Sequence, residues 1–286
     1  MTNASFQFSH AFEYPRVLSI AGSDSGGGAG IQADLKTFSA LGCYGMTAIT
    51  ALTAQNTLGV RAIHGIPAQM LRHQIDAVIE DIGAHAVKIG MLHAPETVLT
   101  VAEAIDCHEL EKVVLDPVMV ATSGAVLMDN PAVQVLVREL FPRALVVTPN
   151  LDEASLLVGR PLCSEGDMET AAQDLLTMGA HAILLKGGHL PGDLVCDLLL
   201  TKNGAAHWMR APRIHTANTH GTGCTLSSAI AAYLALGATL LESVEAARIY
   251  VRAALVAGST VHTGAGCGPL NHSHAPLAMR LKPLRR

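Results

Sequence analysis

Apolar residues along this chain gather in short continuous runs, each followed by a glycine- or proline-bearing break and then by an amphipathic stretch. Residues 16–21 (RVLSIA) form the first run, which breaks at Gly22 into SDSGGGAG. Ile31, Leu35, Phe38 and Leu41 then recur at helical spacing, so the unit reads strand, glycine loop, helix. The grammar repeats. Strand-like runs cover Cys43–Leu52, Ala84–Ile89, Lys112–Leu115, Ala144–Val147 and Ala182–Leu185. Helical patterns cover Pro67–Ile82, Pro95–Ile105, Pro131–Leu140, Asp152–Val158, Asp167–Met178 and Leu241–Gly258. In Pro67–Ile82 the apolar side comprises Met70, Ile75, Val78, Ile79 and Ile82, and Pro67 suits the first helical position, which has no use for an N–H. Val195–Leu200 and Ala206–Met209, joined by Lys202-Asn203-Gly204, predict a hairpin. A run rich in Ala, Ser and Leu reaches Leu236, with Gly237 placed as its C-cap.

Apolar strands alternating with helices describe an α/β fold, a doubly wound and mostly parallel central sheet with helices on both faces. The pattern predicts a domain over residues 16–272, a loose extension over 1–15 and a basic tail over 273–286 that frays beyond His274. Half of the residues are apolar and 15% are charged, which excludes a disordered or fibrous chain. A net charge of −5 argues against nucleic acid as the partner. The six cysteines show no CxxC spacing and read as reduced thiols of a cytoplasmic protein. No stretch has the length of a membrane span.

Two glycine-bearing segments suggest chemistry. In HTANTHGTGCTLSS (215–228), Gly221, Thr222 and Gly223 precede Cys224 at the predicted start of a helix. Unpaired N–H groups and the positive end of the helix dipole make such a place an anion site, and a cysteine held there is expected to have a lowered pKa. SDSGGGAG (23–30) lets backbone approach a ligand closely, and it is neither a GxGxxG nor a Walker A loop. Polar residues mark five strand ends: Asp24, Lys88, Asp116, Asn150 and Lys186. In open α/β sheets the ligand crevice lies outside the carboxyl ends of the strands, so these groups converge on one edge. Lys186 reads as a phosphate ligand or a surface lysine. Asp116 reads as a Mg²⁺ ligand, directly or through water, or a loop cap, and Glu153 as a Mg²⁺ ligand or a first-turn carboxylate. Cys224 is a candidate general base. His220 reads as a packing or capping residue before a base, and His272 and His274 as part of the loose tail.

The segments GSDSGGGAGIQADLKTF (22–38), TALTAQNT (50–57), KIGML (88–92), VLDPVM (114–119), TPNLDEA (148–154), LKGGH (185–189) and NTHGTGCTLSSAIAA (218–232) together resemble the hydroxymethylpyrimidine/phosphomethylpyrimidine kinases of thiamine biosynthesis, members of the ribokinase-like superfamily. The resemblance spans roughly residues 16–272. It implies a ribokinase-like domain, ATP and Mg²⁺, a homodimer, and two successive phosphorylations of 4-amino-5-hydroxymethyl-2-methylpyrimidine. It puts the pyrimidine against Ala29, Asp34, Gln55, Met91 and Val118, and the ATP phosphates near Asn150, Lys186 and the loop of Gly221, Thr222 and Gly223. Many ribokinase-like sugar and pyridoxal kinases have Asp where this chain has Cys224, so the cysteine favours the pyrimidine kinases over a pyridoxal or pyridoxine kinase. Thr122 stands where many relatives have Lys.

Overall fold

A computed structural model describes residues 11–119, 127–204 and 206–284. In chain order the strands are β1 (Phe12–Glu13), β2 (Arg16–Asp24), β3 (Tyr44–Asn56), β4 (Gly59–Gly65), β5 (Ala86–Ile89), β6 (Val113–Leu115), β7 (Val146–Val147), β8 (Ala182–Leu185), β9 (Leu194–Thr201), β10 (Ala206–Pro212) and β11 (Lys282–Pro283). The helices are α1 (Gly30–Ala40), α2 (Ala68–Asp81), α3 (Pro95–Cys107), α4 (Asn130–Leu140), α5 (Leu151–Val158), α6 (Glu165–Thr177), α7 (Thr222–Leu236) and α8 (Leu240–Gly258).

Nine strands form one sheet in the order β10-β9-β8-β7-β6-β5-β2-β3-β4. From β3 across to β8 the pairs are parallel, while β4, β9 and β10 add antiparallel edges. Residues alternate across the sheet as a period of two requires. Leu18, Ile20, Val113 and Leu115 pack with Leu71, Ile75, Val101 and Leu136 of α2, α3 and α4. Val17 and Val114 face the other way, onto Phe38, Ile230 and Val251 of α1, α7 and α8. Helices therefore cover both faces, and this burial holds the strand ends in place. Truncating the fully buried Ile75 to Ala costs about 2–5 kcal/mol. After β3 is added on one side of β2, β5 returns to the other, so the switch point lies between β2 and β5. That is where a parallel sheet opens a crevice.

The predicted elements recur with shifted bounds, and four expectations are corrected. Gln55 and Asn56 belong to β3, which runs on to pair with the unpredicted edge strand β4. Pro67 is the N-cap of α2, one residue before its first helical position. Met70 faces solvent, while Leu71 and Ile75 carry the burial of that helix. The chain ends are docked: Phe12–Glu13 pairs with Lys282–Pro283, the backbone N–H groups of Leu277 and Arg280 donate to the carbonyls of Ala40 and Gly42, and Lys282 donates to the Ala235 carbonyl. Gly42, at φ +77°, is required there, since a Cβ would sit 2.5 Å from the Ala278 oxygen. His272 is likewise buried against Thr225, 3.0 Å away. Thr122 and residues 1–10 lie outside the described residues.

Candidate active site

The carboxyl ends of the parallel strands border a cavity of about 1000 Å³. Into it α7 presents its N-terminus. Gly221 caps that helix at φ +84°, and a Cβ there would lie 1.9 Å from the Gly28 carbonyl oxygen. The two glycine segments are thus in backbone contact, and no larger residue fits between them. Gly237 closes the helix in the left-handed conformation, as its sequence position predicts.

Under this helix end lies a chain of alternating charges. Lys186 Nζ is 3.0 Å from Asp116 Oδ1, which also accepts from Thr148 Oγ1 at 3.0 Å. Asp116 Oδ2 accepts from Ser227 at 3.3 Å. A Cβ on Gly223 would stand 3.3 Å from Lys186 Nζ, so the ammonium sits directly below the glycine turn. Burial alone would push Asp116 up, but Lys186, Lys88 and the Thr148 hydroxyl hold its carboxyl below the usual range. Burial works against the Lys186 ammonium too, and Asp116 and Glu153 overcome it and raise its pKa. Asn150 caps α5 through Oδ1 to the Glu153 N–H at 2.9 Å, and Glu153 Oε2 accepts from the Asn150 N–H at 2.8 Å. This reciprocal capping box is the first-turn role the sequence left open for Glu153. Burial, with Asp116 and Asp152 nearby, drives the Glu153 carboxyl up to about 7 against the pull of Lys186.

Cys224 lines the cavity, but its expected activation is absent. Burial is the largest influence, Asp34 and Asp116 add to it, and Lys88 and the Gly30 N–H do not offset them, so the thiol is pushed up to about 11. A helix dipole is worth a fraction of a kcal/mol to about 2 kcal/mol, too little to reverse full desolvation beside two carboxylates.

Ala29, Gln55, Met91 and Val118 also line the cavity. Met91 packs with Ala51, Leu127, Ile63 and Val118 as an apolar wall, and its Cε lies 2.6 Å from where a Gly22 Cβ would stand. Asp34 is the correction in this group. Its side chain has no exposure and accepts from Ser19 at 2.6 Å, Ser228 at 2.7 Å and Lys88 at 2.9 and 3.0 Å, leaving no face for a substrate. It supports the floor from beneath.

Asp24 lines the cavity at the ligand edge, as its strand-end position predicts, and it also organises the glycine loop. Its Oδ1 accepts from the Gly26 N–H, and its Oδ2 accepts from Gly28 N, Ala29 N and His220 Nε2 at 3.0, 2.8 and 2.9 Å. These bonds outweigh burial and lower its pKa. Asp197 and Arg248, paired at 2.7 Å, also line the cavity, and Asp197 accepts from the Gly187 N–H beside Lys186; neither was foreseen. They come from β9 and α8, and nothing local in either segment signals a site.

Among the described residues no three His, Cys, Asp or Glu side chains group as a metal centre. Mg²⁺ usually keeps several waters and binds through one or two carboxylates plus substrate phosphates, and Asp116 and Glu153, which line the cavity with the N-terminus of α7, fit that lighter demand.

A mostly parallel α/β sheet with a glycine-capped helix N-terminus, a lysine and two acidic side chains at the carboxyl edge of its strands defines a small-molecule kinase of the ribokinase-like class. Residues 24–271 match the family model described as phosphomethylpyrimidine kinase. A hydroxymethylpyrimidine/phosphomethylpyrimidine kinase of Rhizobium meliloti is 52% identical over 90% of this chain and 96% of that relative. The crystal structure of a phosphomethylpyrimidine kinase from Clostridium difficile superposes with a TM-score of 0.74 at 44% identity, over 84% of this chain and 99% of the other. An ADP complex of Bacillus subtilis pyridoxal kinase superposes with a TM-score of 0.84 at 37% identity, over 92% and 98%. This chain belongs to the phosphomethylpyrimidine kinase family, whose enzymes serve thiamine biosynthesis.

Proposed function

We propose that this chain transfers the γ-phosphoryl group of ATP first to the hydroxymethyl oxygen of 4-amino-5-hydroxymethyl-2-methylpyrimidine and then to the phosphate so formed. The observation that carries the reading is one cavity shared by the helix end with Lys186 and by the apolar wall with Gln55. The N–H groups at Gly221 and Gly223 and the Lys186 ammonium stabilise charge on the transferring group, while the Thr222 N–H donates to the Thr219 carbonyl at 3.2 Å and shapes the turn. Asn150 flanks the nucleotide phosphates. Met91, Val118 and Ala29 enclose the pyrimidine ring, and the Gln55 amide offers a donor and an acceptor to its polar edge. Cys224 lines the same cavity and, once its own proton has left to solvent, takes the hydroxymethyl proton as the thiolate. Asp116 and Glu153 would hold Mg²⁺, directly or through water, and the ion would supply neutralisation of phosphate charge. Removal of the Cys224 thiol proton in the loaded site requires added positive charge, because burial, with Asp34 and Asp116 adding to it, outweighs the pull of Lys88 in the unliganded enzyme.

The reading carries with it a cytoplasmic homodimer, tested by sedimentation of the purified chain. A coupled ADP-release assay tests the activity, with hydroxymethylpyrimidine, its monophosphate and pyridoxine as separate acceptors. Sequential turnover of the first two is expected. Higher kcat/KM for pyridoxine, the alternative suggested by superposition on pyridoxal kinases, would overturn it.

A further inference from the structure

Gln55, Thr53, Asp24 and His220 meet on one wall of the cavity, and the hydrogen atoms there can be counted. His220 Nε2 lies 2.9 Å from Asp24 Oδ2. The Asp24 carboxylate already accepts three backbone N–H groups, so it offers no proton, and Nε2 must carry the hydrogen. The same Nε2 lies 3.3 Å from the Gln55 side-chain atom assigned as Nε2, which sets two donors against each other. On the other side, the Thr53 hydroxyl donates to the Ser23 carbonyl at 2.9 Å, and its one hydrogen is spent. The atom 3.3 Å from Thr53 Oγ1 is assigned as Gln55 Oε1, which sets two acceptors against each other. Exchanging the two ends of the amide repairs both contacts at once. Oε1 then accepts from His220 Nε2–H as the second branch of a shared hydrogen bond, and the amide nitrogen donates to Thr53.

We infer that His220, oriented by Asp24, is a positioning and specificity-determining residue that locks the Gln55 amide with its oxygen toward His220 and its nitrogen toward Thr53. The remaining lone pair and the remaining N–H face the cavity in that order. An acceptor on the His220 side and a donor on the Thr53 side match a ring that offers an exocyclic amino group beside an unprotonated ring nitrogen. The 4-oxo-3H ring has the opposite order, an N–H beside a carbonyl, and meets the locked amide with donor on donor and acceptor on acceptor. A free amide would turn over and accept either. The inference rests on the proposed pyrimidine substrate, and it adds the residue that makes the amide read one ring and refuse the other.

The test compares kcat/KM for 4-amino-5-hydroxymethyl-2-methylpyrimidine and its 4-oxo analogue in the wild-type enzyme and in His220→Ala and His220→Gln. Wild type should prefer the amino ring strongly. The His220→Ala ratio should fall about tenfold or more, the lower range of what an unpaired buried polar group costs. His220→Gln, which keeps an N–H donor facing Asp24, should restore most of the preference. A merely structural role would slow both substrates in parallel, and an unchanged ratio in His220→Ala overturns the inference. A long-range ¹H–¹⁵N spectrum of the unliganded wild type gives an independent reading that needs no variant to fold: His220 should carry its proton on Nε2, and an unprotonated Nε2 overturns the lock. Should the wild type phosphorylate neither ring, the proposed substrate fails, while the spectrum still decides the orientation.

Discussion

Lys88 Nζ lies 2.9 Å from Asp34 Oδ2, and neither side chain has any exposure. The pair ties the end of β5 to α1, and Ser228 of α7 donates to the same carboxylate at 2.7 Å. Removing one partner leaves an uncompensated buried charge. Lys88→Met should therefore cost about 3–5 kcal/mol in urea unfolding, and the double variant with Asp34→Leu should recover a large part of it. Equal losses in the single and double variants would show that the pairing is not what matters.

Cys224 sits at the cavity with its thiol pushed up to about 11 in the unliganded protein. Cys224→Ala should lose ~10²–10⁴-fold in kcat while pyrimidine affinity by calorimetry changes little. Because a proton must leave the thiol, wild-type kcat should climb with pH above neutrality, and this limb should vanish in the variant. A variant of full rate would remove Cys224 from the chemistry.

Glu153 titrates at about 7 in the folded chain, above its ordinary 4.5. Between those values the native state binds more protons than the unfolded one, so this group lowers stability as pH rises from 4.5 through 7. Glu153→Gln keeps the acceptor for the Asn150 N–H and removes the titration. The variant should gain stability relative to wild type from pH 5 to pH 8, by up to a few kcal/mol, in melting curves taken across that range. A constant difference at every pH would assign the raised value to something else.

Gly221 holds φ +84° with the Gly28 carbonyl where a Cβ would go. Gly221→Ala must either displace the glycine loop or unwind the first turn of α7. Both outcomes should raise the KM for ATP by at least about tenfold, with a lower Tm, and an unaltered KM would show that the turn does not grip phosphate.

Gln55→Ala should raise the KM for the pyrimidine much more than the KM for ATP. The amide lines the cavity and its side-chain neighbours are Thr53 and His220, with no contact to Lys186. A parallel rise in both would point to collapse of the loop around Asp24 instead.

The strand and helix grammar was legible because each core element repeats an apolar period that no other structure could bury. The run from Thr222 to Leu236 was legible in another way, from its Ala, Ser and Leu composition between bounding glycines, since it is buried on nearly every side. The convergence of Asp116, Asn150, Lys186 and the GTGC turn followed from the rule that parallel strands deliver their ends to one edge. Edge strand β4 was missed since its exposed alternation resembles a loop, and Met70 was misassigned because a helical stripe read by spacing alone has an uncertain phase by one residue. The docked tail was missed as well, because it is held largely by backbone contacts to Ala40 and Gly42, which leave no pattern in the tail's own side chains.

The sequence by itself determined the fold and the family, through periodicity and a series of motifs whose order leaves little freedom. Only the tertiary structure decided the electrical state of the site. A thiol at a helix N-terminus looks activated when one element is considered, yet the charges that set it, Lys88, Asp34 and Asp116, arrive from three other segments. Asp34 and Asp24 look alike as acidic residues near a glycine loop, but one became a sealed support and the other a cap for backbone N–H groups and His220. Burial and pair distances are properties of the assembled chain, and desolvation outweighs any local dipole that the sequence can display.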